Sequence, residues 1–313
     1  MSPAMSSSDG LTHEAFFYAD VDGFLAGTVP FVRAALAEGQ PVLAAVPASG
    51  IDSLQTALGD DADAVSYVDM CLAGRNPTGI IPTVLQAFAG EHPERRVSMI
   101  GEPMWPSRSL AGYLTAVQHE ALINLAFADH DASILCPYRA AGLQATARED
   151  VGRTHPFVLE NGTRTASVQY ADPTTVAATC LIPLPDPPAA AESMTFSADT
   201  LRSVRALVRA HATQAGMSEG STAEFQIAVN EVATNTVVHT DRPGTLRIWR
   251  DGDTVVCEIS DEGHITDPLA GRHRVSSDQI SGRGLLLAAV MSDLLQIVVS
   301  ESGNTIRVHK NST

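Results

Sequence analysis

The sequence predicts two domains of different fold class, a parallel α/β domain over residues 11–181 and an α+β domain over residues 194–313. In the first, helical patterns alternate with short apolar runs that lack polar alternation, which is typical of strands buried on both faces. In the second, two helices are followed by paired strands with turn signals between them. The break between them, residues 182–193, holds four prolines and is predicted to be a linker, because proline cannot continue a helix or a central strand.

The α/β region contains four helical patterns, each followed by an apolar run. Right-handed crossovers between parallel strands would place the helices on both faces of one sheet. The predicted helices are 21–38, 51–58, 78–89 and 110–128, and the predicted strands are 41–46, 64–68, 97–100 and 133–137.

The α+β region begins with two helices. The first ends at Gly216, and the second is predicted to begin at Ser221, with Glu224 in capping-box spacing. A further helix begins at Gly284. Two strand pairs complete a two-layer α+β sandwich: 245–250 with 254–260 around Asp-Gly-Asp, and 295–300 with 305–310 around Ser-Gly-Asn.

Charge and composition exclude several classes of protein. The chain has 313 residues and a formal net charge of −16, a field that repels phosphate backbones and argues against direct nucleic-acid binding. The four cysteines, at positions 71, 136, 180 and 257, lack metal-knuckle spacing and are expected to be reduced, structural thiols. No apolar run reaches membrane-spanning length and residues 1–10 do not resemble a signal peptide, so a cytoplasmic protein without membrane contact is expected.

The second helix of the α+β region carries a polar ridge. Glu231, Asn235 and His239 recur at every fourth position, about 6 Å apart along a helix. An amide oxygen can bind Mg²⁺ and a carboxylate one turn away can accept a proton from a nucleophile. Alone, this spacing also fits a solvent-exposed polar face. His239 has two open interpretations, a role in the site or packing at the helix end.

Two downstream segments favour a functional site on this ridge over a solvent-exposed polar face. Asp261 ends a predicted strand and is followed by Glu262 and Gly263; its carboxylate can accept a hydrogen bond from an exocyclic amino group, and the glycine lets the backbone approach a flat base. Gly282-Arg283-Gly284 then opens a helix, which brings backbone N–H groups towards a phosphate.

These segments resemble the motifs of the GHKL, or Bergerat-fold, ATPases. EVATNTVVH is similar to their N box, Asp261-Glu262-Gly263 to the first glycine box, and Gly282-Arg283-Gly284-Leu285 to the second. The short module resembles the RsbW and RsbA type of anti-sigma factor. The resemblance covers about 120 residues, and it implies ATP and Mg²⁺ as cofactors.

The same resemblance implies partners and residue roles. The partners would be a sigma factor and a STAS-type anti-anti-sigma protein whose serine is phosphorylated, and a homodimer is also implied. Glu231 would be the catalytic base, Asn235 the Mg²⁺ ligand and Asp261 the adenine contact. The remaining cofactor-binding residues would shape the pocket and its lid: Gly263, Gly282, Arg283 and Gly284.

One position departs from the family pattern. The first glycine box ordinarily ends in a second glycine, whereas Ile265 stands there in this sequence. A branched side chain could narrow the nucleotide entrance or stiffen the short lid, residues 267–281. Whether phosphotransfer occurs therefore stays open, and the protein serine kinase activity is an expectation.

The first region resembles the MEDS sensory domain of methanogen, methylotroph and DcmR-type regulators. The segments that carry this resemblance are HEAFFYAD at 13–20, GEPMWPSRS at 101–109, HEALIN at 119–124 and ILCPY at 134–138. It implies a RecA- or KaiC-like fold used to sense a small-molecule signal.

No phosphate-binding loop is expected in this half. Pro-Ala-Ser-Gly follows strand 41–46, taken as the first buried strand, where a glycine-rich loop with its lysine would stand. Glu102, Trp105 and Tyr138 are predicted to lie just beyond strand ends, where open α/β sheets bind ligands, and are candidate sensor residues together with His119.

Three alternatives to a sensor-controlled kinase stay open. The GHKL module could be an inactive scaffold that regulates partners by binding only, as Ile265 would favour. His119-Glu120 could be the phosphoacceptor of an atypical histidine kinase. The first region could be a small-molecule enzyme, although it shows no nucleophile–base pair or metal-ligand spacing.

Overall fold

The computed structural model describes residues 10–104, 108–141, 143–181, 184–274 and 282–312. The chain divides into two compact units. The first comprises residues up to Ala73 together with Val84–Ser107 and Glu120–Val176. The second comprises Ala177–Thr313 together with two earlier segments, Gly74–Thr83 and Arg108–His119.

The first unit is built on a seven-stranded sheet in the order β3-β2-β4-β5-β1-β6-β7, in which all neighbours are parallel except β6 and β7. The strands are β1 Leu11–Tyr18, β2 Val42–Val46, β3 Val65–Asp69, β4 Val97–Gly101, β5 Ala132–Arg139, β6 Phe157–Glu160 and β7 Thr163–Ala166. The strands predicted from apolar runs correspond to β2, β3, β4 and β5, so the parallel α/β class of this region is confirmed in the form of a mixed sheet.

Strand β1 was missed by the sequence interpretation and lies between β5 and β6. The prediction that 41–46 is the first buried strand is therefore wrong. The physical reason is that β1 contains His13 and Glu14 among its aromatic residues, so it does not read as a continuous apolar run. The residues after β1 are Ala-Asp-Val-Asp-Gly, which also lack the lysine of a phosphate-binding loop.

All four predicted helices of the first region are present, one of them interrupted near a proline, and three further helices, 70–73, 145–154 and 173–179, were not predicted. The helices before the second domain are α1 Val21–Ala37, α2 Ala48–Leu58, α3 Met70–Ala73, α4 Pro77–Ile80, α5 Gln86–Glu91, α6 Leu110–Ala126, α7 Ala145–Thr154 and α8 Pro173–Thr179. The single helix predicted over 78–89 is interrupted by a π-helical turn, Ile81–Leu85. Pro82 lies in that turn and lacks the N–H that a regular helix needs there.

The second unit contains a five-stranded antiparallel sheet in the order β11-β12-β10-β9-β8. Its strands are β8 Glu192–Phe196, β9 Gly244–Asp251, β10 Thr254–Asp261, β11 Leu294–Ser300 and β12 Gly303–Asn311. Its remaining helices are α9 Leu201–Gln214, α10 Glu219–Thr240 and α11 Gly284–Val290. Both predicted hairpins are present, and β8 begins at Glu192, inside the predicted linker.

Alternate residues of the sheet strands and apolar residues of the helices form one buried core in this unit. Leu246 and Ile248 of β9 and Cys257 and Ile259 of β10 face it, and Phe225 of α10 packs against them. A helical layer on an antiparallel sheet is the α+β class predicted for this region.

The start of α10 differs from the prediction. The N-cap is Ser218, whose Oγ accepts from the N–H of Ser221, so the helix begins one turn before the predicted capping box. Glu224 instead forms an ion pair of 2.6 Å with Lys310 of β12. A capping residue and a helix residue paired with a strand can be the same residue type in sequence, and only the tertiary contact distinguishes them.

Candidate functional site: a nucleotide-type pocket in the second unit

The predicted polar ridge lies on α10. Glu231 and Asn235 are half-buried and one turn apart, about 6 Å along the helix axis. His239 is exposed in the last turn of the helix, so packing at the helix end is not its role. The two residues expected to serve catalysis and metal binding are thus presented on one side of a rigid element, which fixes their separation.

Asp261 is the last residue of β10, and three hydrogen bonds hold its carboxylate. Oδ1 accepts from the N–H of Gly263 and from Nδ2 of Asn304, both at 2.9 Å, and Oδ2 accepts from the hydroxyl of Thr236 at 2.7 Å. A carboxylate offers about four acceptor positions, two on each oxygen. One position on Oδ2 is therefore left for a further donor, and the carboxylate cannot rotate away from it.

Gly263 is required by the local packing of this pocket. A Cβ at this position would lie 2.8 Å from Cγ2 of Thr240, 2.9 Å from Oδ1 of Asp261 and 3.0 Å from Nδ2 of Asn304. Any side chain would displace the groups that orient the Asp261 carboxylate. The glycine predicted to let a base approach therefore also lets the site assemble.

The second glycine segment meets the ridge at Asn235. A Cβ on Gly284, the first residue of α11, would lie 2.8 Å from Nδ2 and 2.9 Å from Oδ1 of Asn235. Gly282 adopts φ +88°, a conformation that favours glycine, and Arg283 is exposed. The tertiary structure thus brings the start of α11 against the amide expected to bind Mg²⁺.

Ile265 packs inward. Its side chain is partly buried against the hydrophobic core of the unit, and its N–H donates to Oδ1 of Asn304 at 3.0 Å. Because this side chain packs against the core, the structure does not favour the expectation that it narrows the nucleotide entrance. Of the predicted lid, residues 275–281 lie outside the described residues.

Sequence reasoning missed two members of this site, Thr236 and Asn304. Thr236 lies among the buried residues of α10, with Phe225, Val229 and Val232, and it is only 2% exposed. A lone hydroxyl in an otherwise apolar stripe is the signal that it has a buried polar partner. Asn304 carried no such signal, because its turn position alone accounts for an asparagine.

The sensor candidates belong to different places in the fold. Glu102 follows β4 directly, as predicted, and accepts a hydrogen bond of 2.8 Å from the hydroxyl of Tyr18. Burial raises the pKa of Glu102 to about 7, although the Tyr18 hydrogen bond and the charge of Arg139 act in the opposite direction. A carboxyl group that titrates near neutral pH at a strand end is a chemically plausible sensor element.

Tyr138 does not lie beyond a strand end. It is inside β5, only 1% exposed, with its ring 5.9 Å from that of Phe17 and 5.6 Å from that of His155. The prediction of its position is wrong because β5 extends to Arg139, two residues further than the apolar run indicates. Trp105 lies outside the described residues.

His119 is buried in α6, with 1% of its surface exposed. A phosphoacceptor histidine has to reach the γ-phosphate held by another domain, and a side chain in the protein interior cannot do so without local unfolding. The structure therefore disfavours the histidine-kinase alternative.

Two family models match successive parts of the chain. Residues 12–156 match the family model described as the methanogen/methylotroph, DcmR sensory (MEDS) domain. Residues 194–310 match the model of the histidine kinase-like ATPase domain. The chain therefore contains a region similar to a MEDS domain and a region similar to a histidine kinase-like ATPase domain. This combination of sensory and ATPase domains is that of a signalling regulator, and the ATPase domain implies nucleotide binding.

Among solved structures, the chain is similar to the RsbU and RsbW domains of a Mycobacterium tuberculosis protein. The identity is 18% and the TM-score 0.30; the match covers 38% of this chain and only 32% of that one. No curated protein matches the chain. Among the described residues, no helix combines the length and the apolar character needed to cross a membrane.

Proposed function

We propose that this protein is an anti-sigma-factor-like regulator in which the MEDS domain controls a Mg-ATP-dependent serine kinase module. The module would act on a sigma factor, on a STAS-type anti-anti-sigma protein, or on both. In this proposal Glu231 is the base for the acceptor serine, Asn235 binds Mg²⁺, and Gly263, Gly282, Arg283 and Gly284 shape the pocket and its lid. The MEDS domain, with a RecA- or KaiC-like fold, would take the small-molecule signal.

The observation that carries the proposal is the state of the Asp261 carboxylate. Three donors fix it, and the remaining acceptor position on Oδ2 suits the exocyclic amino group of adenine. A guanine base presents a carbonyl oxygen at the corresponding edge, which a carboxylate would repel. The site therefore supports selection of an adenine nucleotide over a guanine nucleotide.

The relation between Asn235 and Gly284 supports the phosphate end of the site. Because a Cβ on Gly284 would touch both amide atoms of Asn235, the backbone at the start of α11 passes directly over the expected Mg²⁺ ligand. A metal bound by Asn235 would lie beside backbone N–H groups able to bind phosphate oxygens. Glu231, one turn earlier, would then be placed to accept the proton of a serine hydroxyl.

Calorimetric titration of the full-length chain with Mg-ATP tests the nucleotide site. Asn235→Ala and Asp261→Ala should abolish saturable binding, and the unaltered chain should bind ATP in preference to GTP. Asp253→Ala is the matched control, since its side chain is 83% exposed in the β9–β10 turn and should leave binding unchanged. A folded, unaltered chain that does not bind Mg-ATP would contradict the proposal.

A second experiment separates a kinase from a binding scaffold. Glu231→Gln should retain Mg-ATP affinity and lose transfer of radiolabelled phosphate to serine on the STAS-domain proteins of the source organism. The scaffold alternative rests on Ile265 in place of the usual glycine. It predicts stable partner complexes whose affinity does not depend on nucleotide, and no phosphotransfer from the unaltered chain.

A further inference from the structure

Four buried side chains with metal-binding atoms converge inside the first unit, although they are distant in sequence. They are His13 of β1, Glu120 of α6, Cys136 of β5 and His155, which directly follows α7. One ligand atom from each lies within 4.8 Å of all the others, and each residue is at most 1% exposed. None of these positions belongs to the nucleotide-type site.

Four of the six separations between ligand atoms are close to those of a tetrahedral metal site. Oε2 of Glu120 lies 3.3 Å from Nε2 of His13, 3.4 Å from Sγ of Cys136 and 3.4 Å from Nε2 of His155. Sγ of Cys136 is also 3.4 Å from Nε2 of His13. Tetrahedral zinc with bonds of about 2.05 Å to N or O and 2.3 Å to S requires ligand separations of about 3.4 Å and 3.6 Å.

The histidine tautomers are set by groups outside the cluster. Nδ1 of His155 lies 2.9 Å from the carbonyl oxygen of Val151 and 2.9 Å from Oγ1 of Thr154, whose hydroxyl can donate to the carbonyls of Asp150 and Val151. A hydrogen on Nδ1 satisfies these contacts and leaves the lone pair on Nε2. Nδ1 of His13 lies 3.2 Å from Oδ1 of Asn124, whose Nδ2 donates to the carbonyl of Thr154. Histidine ligands of metal sites are oriented by such contacts at the other ring nitrogen.

Nε2 of His155 gives an independent sign that something is bound here. It is fully buried and has no hydrogen-bond partner within the described part of the chain. Leaving a buried ring nitrogen without a partner is costly, whereas coordination of a metal uses that lone pair.

The charges of the cluster also balance around a divalent cation. A thiolate at Cys136 would lie in the core 3.4 Å from Oε2 of the Glu120 carboxylate, and two such buried negative charges are costly without a cation. A bound divalent ion removes this cost: a thiolate, a carboxylate and two neutral imidazoles give zero net charge with it. A coordinating thiol is deprotonated by the metal itself.

We propose that His13, Glu120, Cys136 and His155 bind one Zn²⁺ ion in the core of the MEDS domain. Thiolate, imidazole and carboxylate ligands in a compact tetrahedral set favour zinc over Mg²⁺ or Ca²⁺, which prefer six or more oxygen ligands. With four protein ligands shielded from water, the site has no open position for a substrate. The ion therefore joins β1, β5, α6 and the residue after α7, and its role is structural.

The deciding measurements use the unaltered full-length chain, because removal of a core ligand can unfold the domain. Mass spectrometric metal analysis should find one zinc per chain. Replacement by Co²⁺ should give the intense visible bands of a tetrahedral site and a near-ultraviolet thiolate-to-cobalt band. A folded chain that contains no zinc, and that gives neither spectrum after incubation with Zn²⁺ or Co²⁺, would overturn the proposal. Iron, nickel or copper as the bound metal would overturn the assignment of zinc.

Variants then assign the ligands. Cys136→Ser should abolish the thiolate-to-cobalt band, and His155→Gln should reduce the bound metal to well below one ion per chain. Cys257→Ser is the matched control, because Cys257 is equally buried but lies on β10 in the other unit. Loss of the band in Cys257→Ser, or its retention in Cys136→Ser, would refute the assignment.

Discussion

The hydroxyl of Thr236 on α10 donates a hydrogen bond of 2.7 Å to Oδ2 of Asp261 at the end of β10. This contact joins the helix that carries Glu231 and Asn235 to the strand that carries the expected adenine contact. Because Thr236 is only 2% exposed, water cannot readily replace its hydroxyl if it is removed. The orientation of the carboxylate therefore depends on a residue that touches no nucleotide.

Thr236→Val should weaken Mg-ATP binding without unfolding the domain, since valine has nearly the same shape. Loss of one hydrogen bond to a carboxylate corresponds to roughly 1.5–3 kcal/mol, or about a tenfold or larger increase in Kd. Calorimetric titration measures the change. Thr234→Val, two positions earlier on the same helix and only half-buried, is the control; equal losses in both variants would show that the effect is not specific to the Asp261 contact.

Gly284→Ala should impair the phosphate end of the site. The new methyl group would lie within 2.9 Å of the Asn235 amide and would push it out of position. Overpacking of this kind costs about 1–3 kcal/mol. If the displaced Asn235 amide has to return to bind Mg-ATP, that cost appears in binding, and the Kd should rise by about 5-fold to 150-fold. Gly220→Ala is the control, because the nearest atom to its Cβ is 3.9 Å away. Unchanged affinity in Gly284→Ala would contradict the placement of Asn235 in the site.

Glu102→Gln should change how stability depends on pH. The folded-state pKa of about 7 lies above the ordinary value of 4.5, so the folded protein holds this proton more tightly than the unfolded chain. Its contribution to stability is present at acidic pH and is lost as pH rises from about 4.5 to about 7. The variant should therefore lose less stability than the unaltered chain between pH 5 and pH 8, by up to ~3 kcal/mol.

Urea unfolding at the two pH values measures this difference. Glu94→Gln, at an exposed position of the same unit, should behave as the unaltered chain does. The same pH dependence in Glu102→Gln and in the unaltered chain would show that another group is responsible.

Asn76→Ala should destabilise the second unit. Nδ2 of Asn76 donates to the carbonyl oxygen of Ala289, in the last turn of α11, at 2.8 Å, and Asn76 is 6% exposed. Leaving that buried carbonyl without its donor costs about 1–3 kcal/mol, measured as a lower urea midpoint. Arg250→Ala, which removes an exposed pair with Asp253 in the same unit, should cost less than about 1 kcal/mol. The opposite order of effects would contradict this ranking.

Many of the helices and strands, and the order of the motifs, could be predicted from the sequence because they depend on local patterns. Periodicity located β2, β4, β10 and α10, and the Asp-Gly-Asp turn located the β9–β10 hairpin. Glu231 and Asn235 could be read as neighbours because four residues on one helix always lie one turn apart. Their chemistry then followed from the residue types.

Contacts between residues that are far apart in sequence depend on the tertiary fold and could not be predicted. Thr236 and Asn304 hold Asp261 from positions 25 and 43 residues away. The ligand atoms of His13, Glu120, Cys136 and His155 come from four separate elements, so their spacing in sequence resembles no metal motif. In the His119-Glu120 pair, the sequence drew attention to His119 as a sensor or phosphoacceptor candidate, whereas Glu120 is the residue that lies in the cluster. Local patterns reveal secondary structure through its periodicity. A buried polar site forms when packing brings distant residues together, and no local pattern contains that information.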